Sequence, residues 1–266
     1  NKIETVQAKG VAGQERHTLY VYDKDNRLAQ VTDPEGGVTR YEYDVLGNQT
    51  RITDANGGVQ QNTFDAIGRV VSSLSAGGVL TRNTYDRRDN ILSTTQSFAD
   101  LSDARTTTYA YDLLNRQTRV TDGEGFSTSF VYDAFGNQKS ITRGQYLLAP
   151  TDPGFDPAKA ARAFAQTNSF VYDRADRMLS LTDAEGNVVA FTYDAVGNRL
   201  SMTEAANSAP RTTRFAYDLA NRLIETRTPE GGLTRLRYDQ VGNKIAEDQL
   251  QSGDEFTGVF IHRRFE

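Results

Sequence analysis

The sequence predicts an all-β fold, a repetitive antiparallel ribbon of β-hairpins with one short helical insertion. Three observations predict it. The dipeptide Tyr-Asp, once replaced by Phe-Asp, recurs ten times, and six of the nine successive spacings are 21 residues. Two kinds of turn signal alternate along the chain. Between them lie stretches of about six residues rich in Val, Ile, Thr, Tyr and Phe, which favour strands.

The first turn signal begins at the aspartate of each Tyr-Asp pair, as in the segment 44–47, which reads Asp-Val-Leu-Gly. An aspartate carboxylate can accept a hydrogen bond from the backbone N–H two residues on. The fourth residue is always Gly, Asn or Asp, the types that tolerate a left-handed backbone. This predicts a type I turn closed by a left-handed residue. The signature residues of these repeats are Tyr22, Asp23, Tyr43, Asp44, Gly47, Phe64, Asp65, Gly68, Tyr85, Asp86, Tyr111, Asp112, Tyr132, Asp133, Gly136, Tyr172, Asp173, Tyr193, Asp194, Gly197, Tyr217, Asp218, Tyr238, Asp239 and Gly242.

The second turn signal is a Gly-containing segment such as 33–37, with copies at 54–58, 183–186 and 229–232. An aromatic residue usually stands two positions before each tyrosine, on the same strand face, which is the period-two pattern of a strand with one covered face. Each repeat is therefore predicted to be a β-hairpin. Because a lone hairpin is marginally stable, we expect neighbouring hairpins to stabilise one another.

The residue after the left-handed position alternates between Arg and Asn. Neighbouring hairpins are offset by about 10 Å, so an Arg in every repeat would set like charges about one Debye length apart. Asn in between doubles that separation, and we expect each Arg to reach an Asp of a neighbouring turn. A structural role is favoured over a ligand-binding one. The alternating residues are Arg27, Asn48, Arg69, Asn90, Arg116, Asn137, Arg177, Asn198, Arg222 and Asn243.

The predicted organisation has three parts. Residues 1–18 are lead-in strands, residues 19–249 hold ten repeats in one continuous sheet, and residues 250–266 are the start of a following segment or the end of the piece. The insertion 144–168 is predicted to contain a short helix at about 157–166, because Asp156 is a suitable N-cap and is followed by a proline and then by several alanines. We expect apolar groups such as Phe164 to hold it on the sheet as decoration; a plug or docking element is the alternative.

Several function classes are excluded or disfavoured. The chain has no Cys and two His, so neither thiolate sites nor a multi-His metal centre fit. Its net charge of −5 argues against nucleic acid as a partner. No nucleophile elbow, phosphate loop or zinc motif occurs. We expect no catalytic residue, cofactor or metal site, with calcium at clustered turn aspartates as a disfavoured alternative. No apolar run is long enough for a membrane span and no signal peptide opens the chain.

The segments 40–48 and 191–200 resemble near-consensus copies of the YD-repeat, or Rhs-repeat, family. The resemblance covers about residues 19 to 249. Relatives include bacterial Rhs polymorphic toxins, cocoon subunits of insecticidal toxin complexes, wall-associated proteins and teneurins. The resemblance implies a sheet that curls into part of a hollow spiral shell, which in many bacterial members encloses a C-terminal toxin. The segment 152–155 is only superficially similar to the family's self-cleavage boundary, because four repeats follow it.

The function implied by the resemblance is a non-enzymatic shell segment that encapsulates and shields a polypeptide cargo, delivered by secretion or to the cell surface of bacteria. Twenty strands closed into a ring give a diameter of about 30 Å, too narrow for a folded domain of about 100 residues. We therefore expect further repeats and a C-terminal cargo domain in the same polypeptide, a secretion-system or cell-surface partner, and self-association through open strand edges. The alternative is a carbohydrate-binding or adhesion module that uses exposed aromatic rows.

Overall fold

The computed structural model describes residues 3–7, 15–98, 103–205, 210–252 and 259–265. Within these residues the chain forms 22 strands and one short helix, so the all-β prediction is confirmed. The chain divides into two compact units. Unit 1 comprises Asn1–Ser127 and Leu147–Phe155, and unit 2 comprises Thr128–Tyr146 and Asp156–Glu266.

Unit 1 is a ladder of sequential hairpins. Each strand from β1 to β10 pairs antiparallel with the next one in the chain. The boundary between the units falls within β12. The strands are β1 (Glu4–Gln7), β2 (Arg16–Tyr22), β3 (Leu28–Thr32), β4 (Val38–Tyr43), β5 (Gln49–Thr53), β6 (Val59–Phe64), β7 (Val70–Leu74), β8 (Val79–Tyr85), β9 (Ile91–Phe98), β10 (Arg105–Tyr111), β11 (Gln117–Thr121) and β12 (Phe126–Tyr132).

Unit 2 repeats the same arrangement. Each strand from β13 to β21 pairs antiparallel with its successor. The helix lies between β13 and β14. The elements are β13 (Gln138–Tyr146), α1 (Pro157–Arg162), β14 (Gln166–Tyr172), β15 (Met178–Thr182), β16 (Val188–Tyr193), β17 (Arg199–Ala205), β18 (Arg211–Tyr217), β19 (Leu223–Arg227), β20 (Leu233–Tyr238), β21 (Lys244–Ser252) and β22 (Val259–Arg264).

Each unit is a thin layer. Ile141, Leu233 and Ala246 are the buried apolar residues of the described chain, and none of its large side chains is fully enclosed. In β4, Tyr41 and Tyr43 are half-buried on one face whereas the residues between and before them are exposed. Stability therefore rests on the strand ladder and on contacts between neighbouring hairpins, as in other repeat proteins.

The insertion departs from the expected form at two points. Helix α1 has Asp156 as its N-cap, with the carboxylate accepting from two backbone N–H groups, but it ends at Arg162. It cannot extend to residue 166, because Gln166 already pairs with Arg143 in the sheet. Phe164 does not hold the helix down, since its side chain is 73% exposed.

The two ends of the chain continue the ladder. In the lead-in region β1 pairs with β2, and residues 1–2 and 8–14 lie outside the described part. In the last region β22 pairs with β21, with Leu250 opposite Phe260, although its sequence lacks the repeat signature. The expected boundaries at residues 18 and 250 stay predictions. None of the described helices has the length and apolar character required to cross a membrane.

Candidate functional site

The signature residues meet at the tips of the hairpins. Every signature tyrosine, and Phe64, is the last residue of its strand, and the aspartate that follows opens the turn. All ten fourth residues have positive φ, from 59° at Asp176 to 104° at Gly197. Because successive connections of an antiparallel ladder lie at opposite ends of the strands, the Tyr-Asp turns of each unit lie together along one edge of the sheet, where the strands end. We call this edge the Tyr-Asp edge.

Asp44 illustrates how the turn closes. Its N–H donates to the Asn48 carbonyl at 3.0 Å, and the Gly47 N–H donates to the Asp44 carbonyl at 3.1 Å. One carboxylate oxygen accepts from the N–H groups of Leu46 and Asn48, each at 2.9 Å. The other accepts from the Asn48 side-chain amide at 2.9 Å. A single aspartate thus satisfies three donors of its own turn.

This bonding favours the charged carboxylate. The Asn48 amide, followed by the backbone donors, lowers the pKa of Asp44, and the Arg27 N–H lowers the pKa of Asp23. At Asp112 burial acts in the opposite direction, but the hydrogen bonds together outweigh it and its pKa is also lowered. The pKa is lowered at all ten turn aspartates, namely Asp23, Asp44, Asp65, Asp86, Asp112, Asp133, Asp173, Asp194, Asp218 and Asp239.

Turns that carry Arg extend to the next repeat. In unit 1 the Arg27 Nε donates to the carboxylate of Asp23 at 2.7 Å, within its own turn. Its Nη1 donates to the backbone carbonyl of Asp44 in the next turn at 3.0 Å, and its guanidinium lies 4.9 Å from the centre of the Tyr43 ring. The same three contacts recur at Arg69, Arg177 and Arg222.

In turns that carry Asn, the shorter side chain makes a single contact with the next repeat. Asn198 donates to Asp194 in its own turn at 2.8 Å and to the Asn221 side chain of the next turn at 2.8 Å. Asn90 and Asn137 do the same toward Asn115 and Asp176. The acceptor is the side-chain oxygen of the left-handed residue in the following turn. A glycine at that position has no side chain and therefore provides no acceptor.

Four signature tyrosines couple the same pairs of repeats, and Tyr217 joins an Asn repeat to the next one by donating to the Arg199 carbonyl at 3.1 Å. The Tyr43 hydroxyl donates to the Leu28 carbonyl at 2.9 Å, immediately after Arg27. Equivalent bonds join Tyr85, Tyr193 and Tyr238 to the carbonyl that follows the preceding Arg. An Arg repeat and the Asn repeat after it are therefore linked in both directions.

These contacts refine the expected role of the Arg row. Each of these four arginines reaches the first aspartate of the next turn through its backbone carbonyl, because that carboxylate is already occupied by its own turn. Arg69 also pairs with a carboxylate of the next turn, that of Asp89, at 2.8 Å. The sequence also contains a signal for the Asn contacts. Left-handed residues with a polar side chain stand mainly in the Arg turns, at Asn26, Asn115, Asp176 and Asn221, and glycine stands mainly in the Asn turns, at Gly47, Gly136, Gly197 and Gly242.

The aromatic row has little freedom. The aromatic residues two positions before the signature tyrosines, such as Tyr41 and Phe191, are half-buried in the sheet surface. Arg199 lies over two of these rings, 5.7 Å from the centre of Phe191 and 5.0 Å from that of Phe215. Burial raises the pKa of Tyr43.

The turn residues serve the turns themselves. Within the described ranges, no three His, Asp or Glu side chains converge as metal ligands. The turn carboxylates point back into their own turns, where backbone and side-chain donors occupy them. What this arrangement does is close the hairpins and lock neighbouring repeats together.

Comparison with known proteins identifies the repeat. A family model described as RHS Repeat matches three segments of the chain, residues 22–59, 111–146 and 172–209. These three segments of the chain are RHS repeats. No curated protein matches the sequence at a significant level.

Solved structures share the fold of this chain. The crystal structure of TcdB2-TccC3 has a TM-score of 0.67 at 18% identity, covering 99% of this chain and 14% of that one. TcdB2-TccC3-Cdc42 has a TM-score of 0.64 at 17% identity, covering 99% and 15%. The Photorhabdus luminescens Tc holotoxin pore, with a mutated TccC3, has a TM-score of 0.66 at 18% identity, covering 95% and 13%. The chain thus spans about one seventh of the length of these structures.

Proposed function

We propose that this RHS-repeat chain is a wall segment of a hollow shell that encloses and shields a polypeptide cargo, without catalytic activity of its own. The observation that carries the proposal is the closed bonding of the Tyr-Asp turns. Their carboxylates, guanidinium groups and amides are engaged in joining one hairpin to the next. A surface built this way is suited to forming a barrier.

The proposed mechanism is steric. Backbone N–H and C=O groups inside the ladder are paired, so a protease cannot draw these strands into its cleft without breaking the sheet. Cleavage is favoured at exposed, weakly bonded loop tips, and the Tyr-Asp tips are pinned by the aspartate. A cargo behind such a wall is kept from proteases and from its targets.

The proposal includes partners outside the 266 residues. These are further repeats and a C-terminal cargo domain, for example a toxin, in the same polypeptide, with secretion or delivery to the cell surface. Support comes from the length comparison, since structures of this fold have chains about seven times longer. Self-association through open strand edges is proposed for the isolated chain.

Limited proteolysis of the polypeptide that contains this segment tests the shell. We expect sequence beyond the repeats to resist protease in native buffer and to be digested once denaturant opens the sheet. Cargo digested at the same rate in both conditions would contradict encapsulation.

The alternative, an adhesion module that binds carbohydrate on exposed aromatic rows, is less well supported. Stacking on a sugar needs a free ring face, whereas the row here is half-buried and Arg199 covers part of it. A glycan array probed with the chain separates the two functions, because specific binding that is lost on replacing Phe191 with Ala would favour the adhesion module.

A further inference from the structure

Five arginines lie on one face of the last five strands of unit 2. Strand register connects them, because residues directly opposite each other on neighbouring strands point to the same side of the sheet. Arg214 faces Arg227, Glu225 faces Arg235, and Asp248 faces both Arg235 and His262. The remaining members follow by period two or by pairing. We call the set the arginine face: Arg214, Arg227, Arg235, Arg237 and Arg264.

The arginine face has a local excess of positive charge. Glu225 pairs with Arg227 at 2.7 Å and with Arg235 at 3.0 Å, and Asp248 pairs with Arg237 at 3.0 Å. Five guanidinium groups against these two carboxylates leave three positive charges, in a chain whose net charge is −5. From β18 to β22 the face extends about 19 Å, at roughly 4.8 Å per strand.

The side chains of two of these arginines have no bonding partner among the described residues. Arg214 and Arg264 are exposed, and their guanidinium groups form no hydrogen bond or ion pair with another described residue. Arg214 also stands directly opposite Arg227, and like charges in that position are destabilising. The turn arginines such as Arg177 are the opposite case, since their donors are used within the protein.

We propose that the arginine face binds an acidic polypeptide segment. Anionic side chains would complete the coordination of Arg214 and Arg264 and relieve the repulsion between Arg214 and Arg227. Glu225 and Asp248 interrupt the positive charge, so the face suits carboxylates that are spaced along an extended chain. A continuous phosphate backbone fits less well, because nucleic-acid binding uses about six to ten basic contacts and these two acids would repel it.

Fluorescence anisotropy with a labelled peptide of alternating Glu and Ser tests the proposal on the full 266-residue chain. We expect binding at low ionic strength that weakens as salt is added, and no binding of the matching Lys-Ser peptide. The double variant Arg214→Gln, Arg264→Gln should lower the affinity about tenfold.

The matched control is Arg40→Gln, Arg82→Gln in unit 1. Both arginines are exposed strand residues without a described bonding partner, and their cross-strand neighbours are uncharged. We expect this variant to bind the peptide with an affinity within about twofold of the unmodified chain. Equal losses in both variants, no binding by the unmodified chain at low salt, or tighter binding of a single-stranded oligonucleotide than of the peptide would overturn the proposal.

Discussion

The Arg turns and the Asn turns share one backbone conformation but differ in how far they reach. Arg177 bonds to Asp173 in its own turn, to the Asp194 carbonyl in the next, and covers the Tyr193 ring. Asn198 also bonds within its own turn, but its contact with the next repeat is a single amide bond to Asn221. The contacts that the alternating residue makes with the next repeat therefore change from several at Arg to one at Asn, and in this respect the structural repeat is a pair of hairpins.

The difference shows that closing a turn and joining two repeats are separate tasks. The aspartate closes both kinds of turn and is common to all ten repeats. The Arg or Asn four positions after that aspartate determines how many side-chain contacts it makes with the next hairpin. Perturbing the common part should affect the whole ladder, whereas perturbing the alternating part should give effects that depend on the kind of turn.

Acid should have the largest effect, because it acts on the aspartate that both turns share. A carboxyl whose pKa is lowered by folding contributes stability that is complete above its unfolded pKa and is lost as the pH falls through the folded value. We expect the urea midpoint, followed by circular dichroism, to be steady at neutral pH and to fall steeply below the ordinary aspartate value of 3.8. A midpoint unchanged from pH 7 to pH 3 would contradict this account of the turns.

Replacing the alternating residue with alanine should separate the two kinds of turn. Arg177→Ala removes an ion pair, a bond to the next repeat and a cation–π contact, so we expect the melting temperature to fall by about 6 °C. Asn198→Ala removes two amide bonds at the surface, and we expect a fall of about 2 °C. Differential scanning calorimetry measures both, and equal shifts would remove the distinction between strong and weak contacts.

Removing the tyrosine hydroxyl tests the hydrogen bond that runs from an Asn repeat back to the preceding Arg repeat. Tyr193→Phe removes only the donor to the Met178 carbonyl, so the melting temperature should fall by about 3 °C. Tyr172 is the matched control, because its hydroxyl forms no bond with a described residue. Tyr172→Phe should leave the melting temperature within about 1 °C, and a similar loss in both variants would indicate a general effect of the hydroxyl.

The smallest expected effect is an increase in the melting temperature. Gly68 follows an Asn turn, and a Cβ at this position would lie 3.3 Å from the Asn48 side-chain oxygen, so that the flexible Asn48 side chain has to shift by a few tenths of an ångström. Its φ of 84° is one that Asn accepts more readily than other residues. Gly68→Asn should therefore add the missing amide contact and raise the melting temperature by about 1 °C.

Gly47→Asn is the control for this gain. Gly47 has a similar φ of 90° but follows an Arg turn. The preceding turn therefore has no Asn side-chain amide that could donate a hydrogen bond to a new side chain at position 47. We expect no increase in this variant. An equal increase at both positions would mean that Asn favours the turn by itself, without the contact to the preceding repeat.

Much of the fold could be predicted from the sequence because the turn chemistry is local. The requirement for a left-handed residue after Asp44 restricts that position to a few residue types, so ten copies are visible without coordinates. The contact from Arg27 to the Asp44 carbonyl could not be predicted, since it depends on which acceptors the aspartate leaves free. Strand β22 could not be predicted because backbone pairing imposes no signature on its side chains, and α1 is shorter than expected because Gln166 belongs to the sheet.

The regular succession of Arg and Asn turns has a consequence for how such a chain can grow. Inserting one hairpin would put two Arg turns or two Asn turns side by side, and one of them would face a neighbour that does not complement it. Inserting two hairpins preserves every junction. Duplications and deletions that remain stable in this gene should therefore change the number of hairpins by even steps.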